Sequence, residues 1–164
     1  MNVEQVYNDY FSRVYSYIRS RVYNETRADD ICCEVFQTVF EKQDSFDERK
    51  GNIEQWLFTI ARNKVNSHLR LYHIRNFFSF TGNEENFPEA EEKPLDKLDK
   101  DEQISELYKA LKVLNEKERD LVSLKFFSSL NNREIAKATS LSESNVGTIL
   151  HRAMQKLRTV LEDL

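Results

Sequence analysis

Two segments of this 164-residue sequence contain basic side chains and no acidic ones. In residues 55–83 the cations are Arg62, Lys64, Arg70 and Arg75. In residues 144–161 they are Arg152, Lys156 and Arg158, with His151 among them. Cations gathered without carboxylates attract polyanions, because they can replace the counterions of a phosphate backbone. The pattern therefore predicts two separate contacts with nucleic acid.

The overall charge of −4 hides this pattern, because the acids are concentrated in the middle of the chain. Residues 1–75 carry 11 basic and 11 acidic groups, residues 76–103 carry 3 and 9, and residues 104–164 carry 10 and 8. An acidic stretch that includes Pro88 and Pro94 is typical of a solvated linker. We expect it to separate two domains and to weaken DNA binding by the free protein.

The first acid-free segment is also rich in aromatic side chains: Trp56, Phe58, Tyr72, Phe77, Phe78 and Phe80. A surface that binds single-stranded nucleic acid needs cations along the phosphate backbone and aromatic rings that stack on unpaired bases. Each stacked base contributes about 1 to 3 kcal/mol to binding. Two alternatives stay open. Trp56 and Phe58 have the helical spacing of core residues, and the later rings could instead dock the linker onto a partner.

Residues suited to catalysis or metal binding are scarce. The three histidines, His68, His73 and His151, lack metal-ligand spacing, and three glycines cannot supply a phosphate-binding loop. Cys32 and Cys33 are adjacent, which suits core packing better than a disulfide framework or a redox sensor. No apolar run approaches the roughly 20 residues of a membrane span. We expect a cytoplasmic, non-enzymatic protein without metal, cofactor or membrane insertion.

Hydrophobic periodicity predicts three helices in residues 1–75. The first buries the stripe Val3, Val6, Tyr7, Tyr10, Phe11, Val14 and Ile18. The second starts at a cap near Thr26 and buries Cys32, Val35, Phe36, Val39 and Phe40. The third runs from about Ile53 to Leu71 and buries Trp56, Leu57, Ile60, Ala61 and Val65. With only three Gly and two Pro in the chain, we expect an all-α protein.

Helical periodicity stops at Asn76 and returns at Ile104, so residues 76–103 are predicted to be a flexible linker and residues 104–164 a second domain. Within it, Asn131 and Glu134 form a capping-box pattern at the start of a short helix. After a turn at Ser140, Ser142 caps a longer helix from Glu143 to Leu161, giving a helix-turn-helix. Its outward positions suit the major groove: Asn145, Thr148, His151, Arg152 and Gln155. A helical hairpin with a merely solvated basic face is the alternative.

These residues resemble the extracytoplasmic function (ECF) group of the sigma-70 family over nearly the whole chain. Region 2 of that family is matched by Ala28, Asp29, Asp30, Ile31, Glu34, Val35 and Phe36, and by Trp56, Leu57, Ile60, Ala61, Arg62, Asn63 and Arg70. Region 4 is matched by Leu114, Glu118, Arg119, Leu124, Phe126, Phe127, Glu134, Ile135, Ala136, Val146, His151, Arg152, Ala153, Lys156 and Leu157. The resemblance implies two small helical domains, a three-helix region-2-like domain in residues 1–75 and a helix-turn-helix region-4-like domain in residues 104–164.

The resemblance also implies a function: binding core RNA polymerase, recognising promoter DNA and initiating transcription. It implies that the β′ clamp helices bind Asp29, Asp30, Glu34 and Phe36. It implies that the non-template single strand of the minus-ten element is held by Arg62, Asn63, Lys64, Asn66, Arg70 and Tyr72. It implies that the second domain sits on the β flap and reads the minus-thirty-five duplex through Arg133, Ser144, Asn145, Thr148, His151, Arg152 and Lys156. An anti-sigma factor is a further implied partner.

Three departures from the family lie in the helix-turn-helix. Ser140 replaces the usual turn glycine, Ser144 and Asn145 replace a Gly-Thr pair, and Ile149 stands where an arginine is common. The family's base preference therefore does not transfer to this chain. Two other functions stay open: a stand-alone helix-turn-helix regulator that binds a palindrome as a homodimer, and a helical adaptor that never meets nucleic acid.

Overall fold

The computed structural model describes the backbone of residues 1–80 and 102–163 and the side chains of residues 1–78 and 106–163. All regular elements in these ranges are helices. They are α1 (Val3–Arg21), α2 (Glu25–Lys42), a 3-10 turn (Gln43–Ser45), α3 (Ile53–Phe80), α4 (Glu102–Leu111), α5 (Glu116–Phe127), α6 (Asn132–Thr139) and α7 (Glu143–Glu162). The all-α fold with two small helical domains is confirmed. Most of the predicted linker lies outside the described residues.

Helix α2 begins two residues earlier than the sequence pattern predicted. The Asn24 side chain accepts a hydrogen bond from the Arg27 backbone N–H at 2.9 Å, so the helix starts at Glu25. The predicted cap at Thr26 is wrong, because asparagine two residues earlier already satisfies the free N–H groups and ranks above threonine as a cap.

Helix α3 is longer than predicted and ends at Phe80 rather than near Leu71. Neither glycine nor proline occurs between Ile53 and Phe80, so no residue breaks the helix before Gly82. The last turns of α3 extend beyond the packed part of the first domain, and Leu71, Phe77 and Phe78 are exposed there. The prediction placed Phe80 with these rings, but its side chain lies outside the described residues.

The core of the first domain forms where α1, α2 and α3 meet. It contains Val14, Ile18, Ala28, Ile31, Val35, Val39, Leu57, Phe58, Ala61 and Val65. Three aromatic residues that the periodicity placed in this core are exposed instead: Tyr7 (43%), Phe11 (36%) and Phe40 (64%). Periodicity identifies the apolar side of a helix but not how far the neighbouring helices cover it. In this structure the start of α1 and the end of α2 are left uncovered.

In the second domain, α6 and α7 form the predicted helix-turn-helix. Asn131 caps α6, and its backbone N–H donates in turn to Glu134 Oε2 at 2.9 Å, which completes the capping box. Ser140 adopts the left-handed conformation (φ 57°, ψ 33°), so it occupies the conformation that a glycine would favour. Buried Ala136 lets the two helices approach closely, as predicted.

The two domains pack against each other along α1 and α5. The Arg13 guanidinium donates to the Phe127 carbonyl oxygen at 2.9 Å, and Ser20 Oγ donates to Ser123 Oγ at 2.7 Å. A smaller contact joins α3 to α6. We call this packing of α1 on α5 the closed arrangement. The sequence pattern gave no prediction of how the domains are arranged, and the structure supplies it.

Candidate nucleic-acid interface

One side of α7 is a solvent-facing polar surface. Ser144, Asn145, Thr148, His151 and Arg152 are all exposed. The opposite side of the helix is buried through Val146, Leu150, Ala153 and Leu157, which fix its orientation on the domain. We call the exposed set the recognition face. Its hydroxyl, amide, imidazole and guanidinium groups can contact base edges and phosphates in a major groove.

The start of α7 is built by its own sequence. Ser142 Oγ accepts a hydrogen bond from the Asn145 N–H at 3.1 Å, which caps the helix, and Thr148 Oγ1 donates to the Ser144 carbonyl oxygen at 3.1 Å. Ile149, at the position where the family commonly has arginine, is half-buried and packs against the core. Arg133 is exposed on α6 and is the remaining predicted cation near this face.

Lys156 differs from the rest of the predicted α7 set because its own domain engages it. Its ammonium donates to both carboxylate oxygens of Glu118, at 2.7 and 2.9 Å. Burial opposes charge on Glu118, but the hydrogen bonds from Lys156 and from the Asn115 backbone outweigh it and lower the pKa of that carboxyl. Lys156 therefore ties α7 to the start of α5.

Four of the six residues predicted to bind the minus-ten strand remain at least partly accessible on α3. Asn63 and Arg70 are exposed. Lys64 is half-buried, with its ammonium 3.7 Å from a Glu34 carboxylate oxygen. Tyr72 is partly covered, because the Arg27 guanidinium lies 4.5 Å from the centre of its ring. A base could stack on Tyr72 only at its uncovered part.

The other two residues of that set already have protein partners: Arg62 contacts the second domain, and Asn66 contacts α1 of its own domain. Arg62 Nε donates to Asp120 Oδ2 at 2.7 Å, and Arg62 Nη1 approaches the Ala138 carbonyl oxygen at 3.4 Å. Asn66 Oδ1 accepts from Arg21 Nη2 at 3.0 Å. In the closed arrangement these two side chains make protein contacts at positions where the prediction placed DNA.

Asp120 is the centre of a buried polar cluster that the sequence reading missed. Its Oδ1 accepts from Arg21 Nη1 at 2.6 Å and from the Tyr17 hydroxyl at 2.9 Å. The side chains of Arg21 and Asp120 are only 4% and 7% exposed. Burial, followed by the charge of Asp120, raises the pKa of the Tyr17 hydroxyl, which stays protonated and donates.

A signal for this cluster was present in the sequence. Asp120 and Ser123 interrupt the apolar run around Leu121, Val122 and Leu124, so α5 has polar residues where a surface helix would expose them, yet both are buried. A polar residue in such a run could equally be a solvated position. Only the packing of α1 on α5 distinguishes the two.

The acids predicted to bind polymerase differ in their surroundings. Asp29 and Asp30 are exposed on α2, and Asp29 accepts a hydrogen bond from the Tyr15 hydroxyl at 2.9 Å. Glu34 is engaged within the domain, with one carboxylate oxygen 3.0 Å from His68 Nε2 and the other near Lys64. The predicted acidic surface is therefore open at Asp29 and Asp30 and partly neutralised at Glu34.

Phe36 belongs to an aromatic cluster at the rim of the first domain. Its ring centre lies 4.9 Å from that of Tyr7 and 6.0 Å from that of Phe11, and Tyr7 and Phe11 are 5.0 Å apart. Phe36 is half-buried, whereas Tyr7 and Phe11 are exposed. We call Tyr7, Phe11 and Phe36 the rim cluster; it lies on the same helix pair as Asp29.

Other candidate chemistry is limited. Cys32 is buried, which raises the pKa of its thiol to about 12, whereas Cys33 is exposed, so core packing is correct for only one of the pair. Among the residues that the structure describes, no three His, Cys, Asp or Glu side chains lie together as a metal site would need. No helix within the described ranges has the length and apolarity to cross a membrane.

Family models and curated relatives agree on what the chain is similar to. The model for sigma-70 region 2 matches residues 6–72, and the model for sigma-70 region 4 matches residues 104–157. The chain is 29% identical over 159 residues to the ECF RNA polymerase sigma factor BldN of Streptomyces coelicolor, covering 97% of this chain and 60% of that protein. It is 24% identical over 160 residues to the ECF RNA polymerase sigma factor SigM of Bacillus subtilis, covering 98% and 95%.

Solved structures show the same fold. The sigma factor RpoE of Bartonella quintana, solved with the anti-sigma factor NepR, aligns over 97% of this chain and 96% of its own with a TM-score of 0.78 and 21% identity. CnrH, solved with the cytosolic domain of CnrY, aligns over 98% and 88% with a TM-score of 0.68 and 20% identity. With both sigma-70 regions matched in order and with relatives that are ECF sigma factors, this chain belongs to the sigma-70 family and is a sigma factor of the ECF type.

Proposed function

We propose that this sigma factor docks on core RNA polymerase through its first domain, holds the minus-ten strand on α3 and reads the minus-thirty-five duplex with α7. It acts in the cytoplasm as an initiation factor and not as a catalyst. The observation that carries the proposal is the recognition face of α7, a polar and cationic surface held outward by a buried apolar side on a matched region 4.

Duplex reading is assigned to the recognition face together with Arg133. Asn145 and Thr148 lie in the first turns of α7, where a recognition helix enters the groove. Arg152 and His151 lie one to two turns further along and can reach phosphates. Lys156 serves mainly to fix α7 on the domain through Glu118, and we do not count it among the base contacts.

Strand capture is assigned to Asn63, Lys64, Arg70 and the uncovered part of Tyr72. Arg62 joins them when the second domain moves away, and Asn66 when Arg21 releases it. The exposed side chains at the end of α3 include Phe77 and Phe78, whose ring centres lie 6.0 Å apart. Rings of this kind offer stacking surfaces to unpaired bases.

Polymerase docking is assigned to Asp29, Asp30 and the rim cluster. Carboxylates beside exposed rings fit a partner surface that carries both cations and apolar side chains, which is the composition of a typical interface core and rim. Glu34 contributes less than predicted, because Lys64 and His68 already contact its carboxylate.

The second domain has an apolar groove of about 480 Å³, lined by Leu107, Val122, Phe126, Met154 and Leu161 among others. We assign this groove to the β flap, the partner that the family gives to region 4. We propose an anti-sigma factor as a further partner of this chain, since the structurally similar RpoE was solved with the anti-sigma factor NepR. It would act by covering the groove or the first domain.

The test is transcription in vitro on genomic DNA of the source bacterium, with the 5′ ends of the transcripts mapped. We expect discrete start sites when the chain and core polymerase are both present and none with either alone. A homodimer that binds a palindromic site without polymerase would instead support the stand-alone regulator.

The docking surface has its own test, the affinity for core polymerase of Asp30→Ala compared with Asp44→Ala. Both acids are exposed, but Asp44 lies on the 3-10 turn, away from Asp29. Since an exposed ion pair contributes about 0.4 to 1 kcal/mol, we expect Asp30→Ala to weaken binding about two- to fivefold and Asp44→Ala to leave it unchanged. Equal affinities of the two variants would contradict the assignment.

A further inference from the structure

The carboxylate of Asp120 belongs to the second domain, but its hydrogen-bond partners belong to the first. Oδ1 accepts from Arg21 at 2.6 Å and from Tyr17 at 2.9 Å, and Oδ2 accepts from Arg62 at 2.7 Å. Both oxygens are therefore satisfied only while α1 packs on α5. When the domains separate, Asp120 and the two arginines must be hydrated instead.

Polar contacts recur along the interface around this carboxylate. Helix α1 contributes Arg13, Tyr17, Ser20 and Arg21, and α5 contributes Asp120, Ser123 and the Phe127 carbonyl group. Two more contacts lie at the edge of the interface, Asn52 to Glu134 at 2.8 Å and His73 to Glu116 at 2.6 Å. A permanent domain core would be apolar, whereas polar interfaces within one chain are typical of domains that move relative to each other.

Charge burial also favours reversibility. Removing Arg21 and Asp120 from water costs nearly as much free energy as their attraction returns, so a buried ion pair adds little net stability. The ion pair does favour one relative position of the two domains, because either charge would be buried alone if its partner were displaced. The closed arrangement is therefore specific but not strongly favoured over separated, hydrated domains.

We propose that Asp120 is an autoinhibitory latch, which holds the closed arrangement and occupies Arg62 in place of a DNA phosphate until polymerase or DNA separates the domains. The proposal rests on the proposed function, since it assigns Arg62 to the minus-ten strand. The Asp120 carboxylate and a phosphate are both anionic oxygen acceptors, so they compete for the same guanidinium. Asn66 accepts from Arg21 within its own domain, so the latch withholds Arg62 and not Asn66.

The first experiment measures binding of fluorescent single-stranded DNA to the free full-length chain. Asp120→Asn keeps the shape of the side chain but removes the charge that pairs with both arginines, so we expect it to bind about tenfold more tightly than the unaltered chain. Glu106→Gln is the matched control, because it removes one exposed acid from α4 without touching the interface. Equal tightening in the two variants would mean that net charge alone is responsible, and it would overturn the latch.

A second experiment fixes the closed arrangement covalently and does not depend on the folding of an Asp120 variant. Ser20 Oγ and Ser123 Oγ are 2.7 Å apart, so Ser20→Cys with Ser123→Cys can form a disulfide on oxidation with oxidised glutathione. The exposed Cys33 is replaced by serine in this chain. We expect the oxidised form to lose single-strand binding and transcription with core polymerase, and reduction by dithiothreitol to restore both.

The outcomes separate the two proposals. If the reduced chain supports transcription and the oxidised chain supports it equally, the latch is wrong and the sigma function stands. If neither form gives promoter-specific transcripts with core polymerase, the proposed function fails, and the latch, which depends on it, fails as well.

Discussion

Helices α3 and α7 carry the two acid-free cationic faces of this chain, and the structure treats them differently. On α7 the recognition face is open to solvent along its whole length. On α3 two members of the corresponding set, Arg62 and Asn66, are engaged at the domain interface. Two helices of similar composition thus differ: the surface of α7 is free to bind DNA, whereas part of the surface of α3 is occupied by protein contacts.

The difference arises from how many sides of each helix are packed. Helix α7 contacts α4, α5 and α6 on its apolar side only. Helix α3 packs on α1 and α2 through Leu57, Ala61 and Val65 and then meets α6 of the second domain as well. A helix packed on two sides has few exposed positions left, and its cations become partners for buried acids.

The largest effect that follows from this comparison is on stability. Leu57 on α3 is fully buried, whereas Leu150 on α7 is 8% exposed at the edge of its domain. We expect Leu57→Ala to lower the free energy of unfolding by about 4 kcal/mol and Leu150→Ala by about 2 kcal/mol, because the more enclosed site leaves the larger cavity. Urea denaturation followed by circular dichroism measures both. Equal losses would indicate that α3 is no more enclosed than α7.

The next effect concerns DNA affinity in the free protein. We expect Arg152→Ala to reduce the slope of log K against log salt by about one for duplex binding, as the loss of one phosphate contact requires. Arg62→Ala should leave that slope unchanged, since Asp120 already holds the guanidinium. A salt titration of fluorescence anisotropy gives both slopes. A clear change in the Arg62 variant would show that the α3 face is open in solution.

The smallest effect is the pH dependence of the Glu118 and Lys156 pair. Folding lowers the pKa of the Glu118 carboxyl below its ordinary value of 4.5. The ionised carboxylate therefore contributes its full stabilisation at pH values above 4.5. That stabilisation is lost as the pH falls through the lower pKa of the folded state. We expect Lys156→Gln to cost about 0.5 to 1 kcal/mol at pH 7. The cost should shrink on acidification, when Glu118 is protonated in both variants. A cost that is independent of pH would assign the loss to packing of the Lys156 stem.

Much of the fold could be predicted because its signals are local. The capping box of α6, the serine cap of α7 and its buried residues Val146 and Leu150 depend on residues three or four positions apart, and the structure reproduces them. The cap of α2 is also local, but Asn24 and not Thr26 forms it. Tyr7, Phe11 and Phe40 stay exposed because the distant packing of helices leaves them open, which periodicity does not show.

The candidate site divides in the same way. The exposure of Asn145, Thr148 and Arg152 followed from their positions opposite the apolar side of one helix. The engagement of Arg62 by Asp120 joins residues 58 positions apart in the sequence. The polar position of Asp120 in an apolar run is visible in the sequence, but its partner is not. The assignment of these side chains to promoter contacts stays a prediction until the DNA measurements are made.

The sequence by itself determined an all-α protein with two helical domains, since helix periodicity, caps and charge segregation are encoded within a few turns. Its motifs also carried the resemblance to the ECF sigma factors. Only the tertiary structure decided which cations remain free for DNA. That depends on the packing of α1 on α5, which buries Arg21 beside Asp120 and brings Asp120 within reach of the half-buried Arg62 of α3. Whether a charged side chain is exposed or buried depends on which helix packs against it in the tertiary structure, and the neighbouring residues in the sequence do not specify that helix.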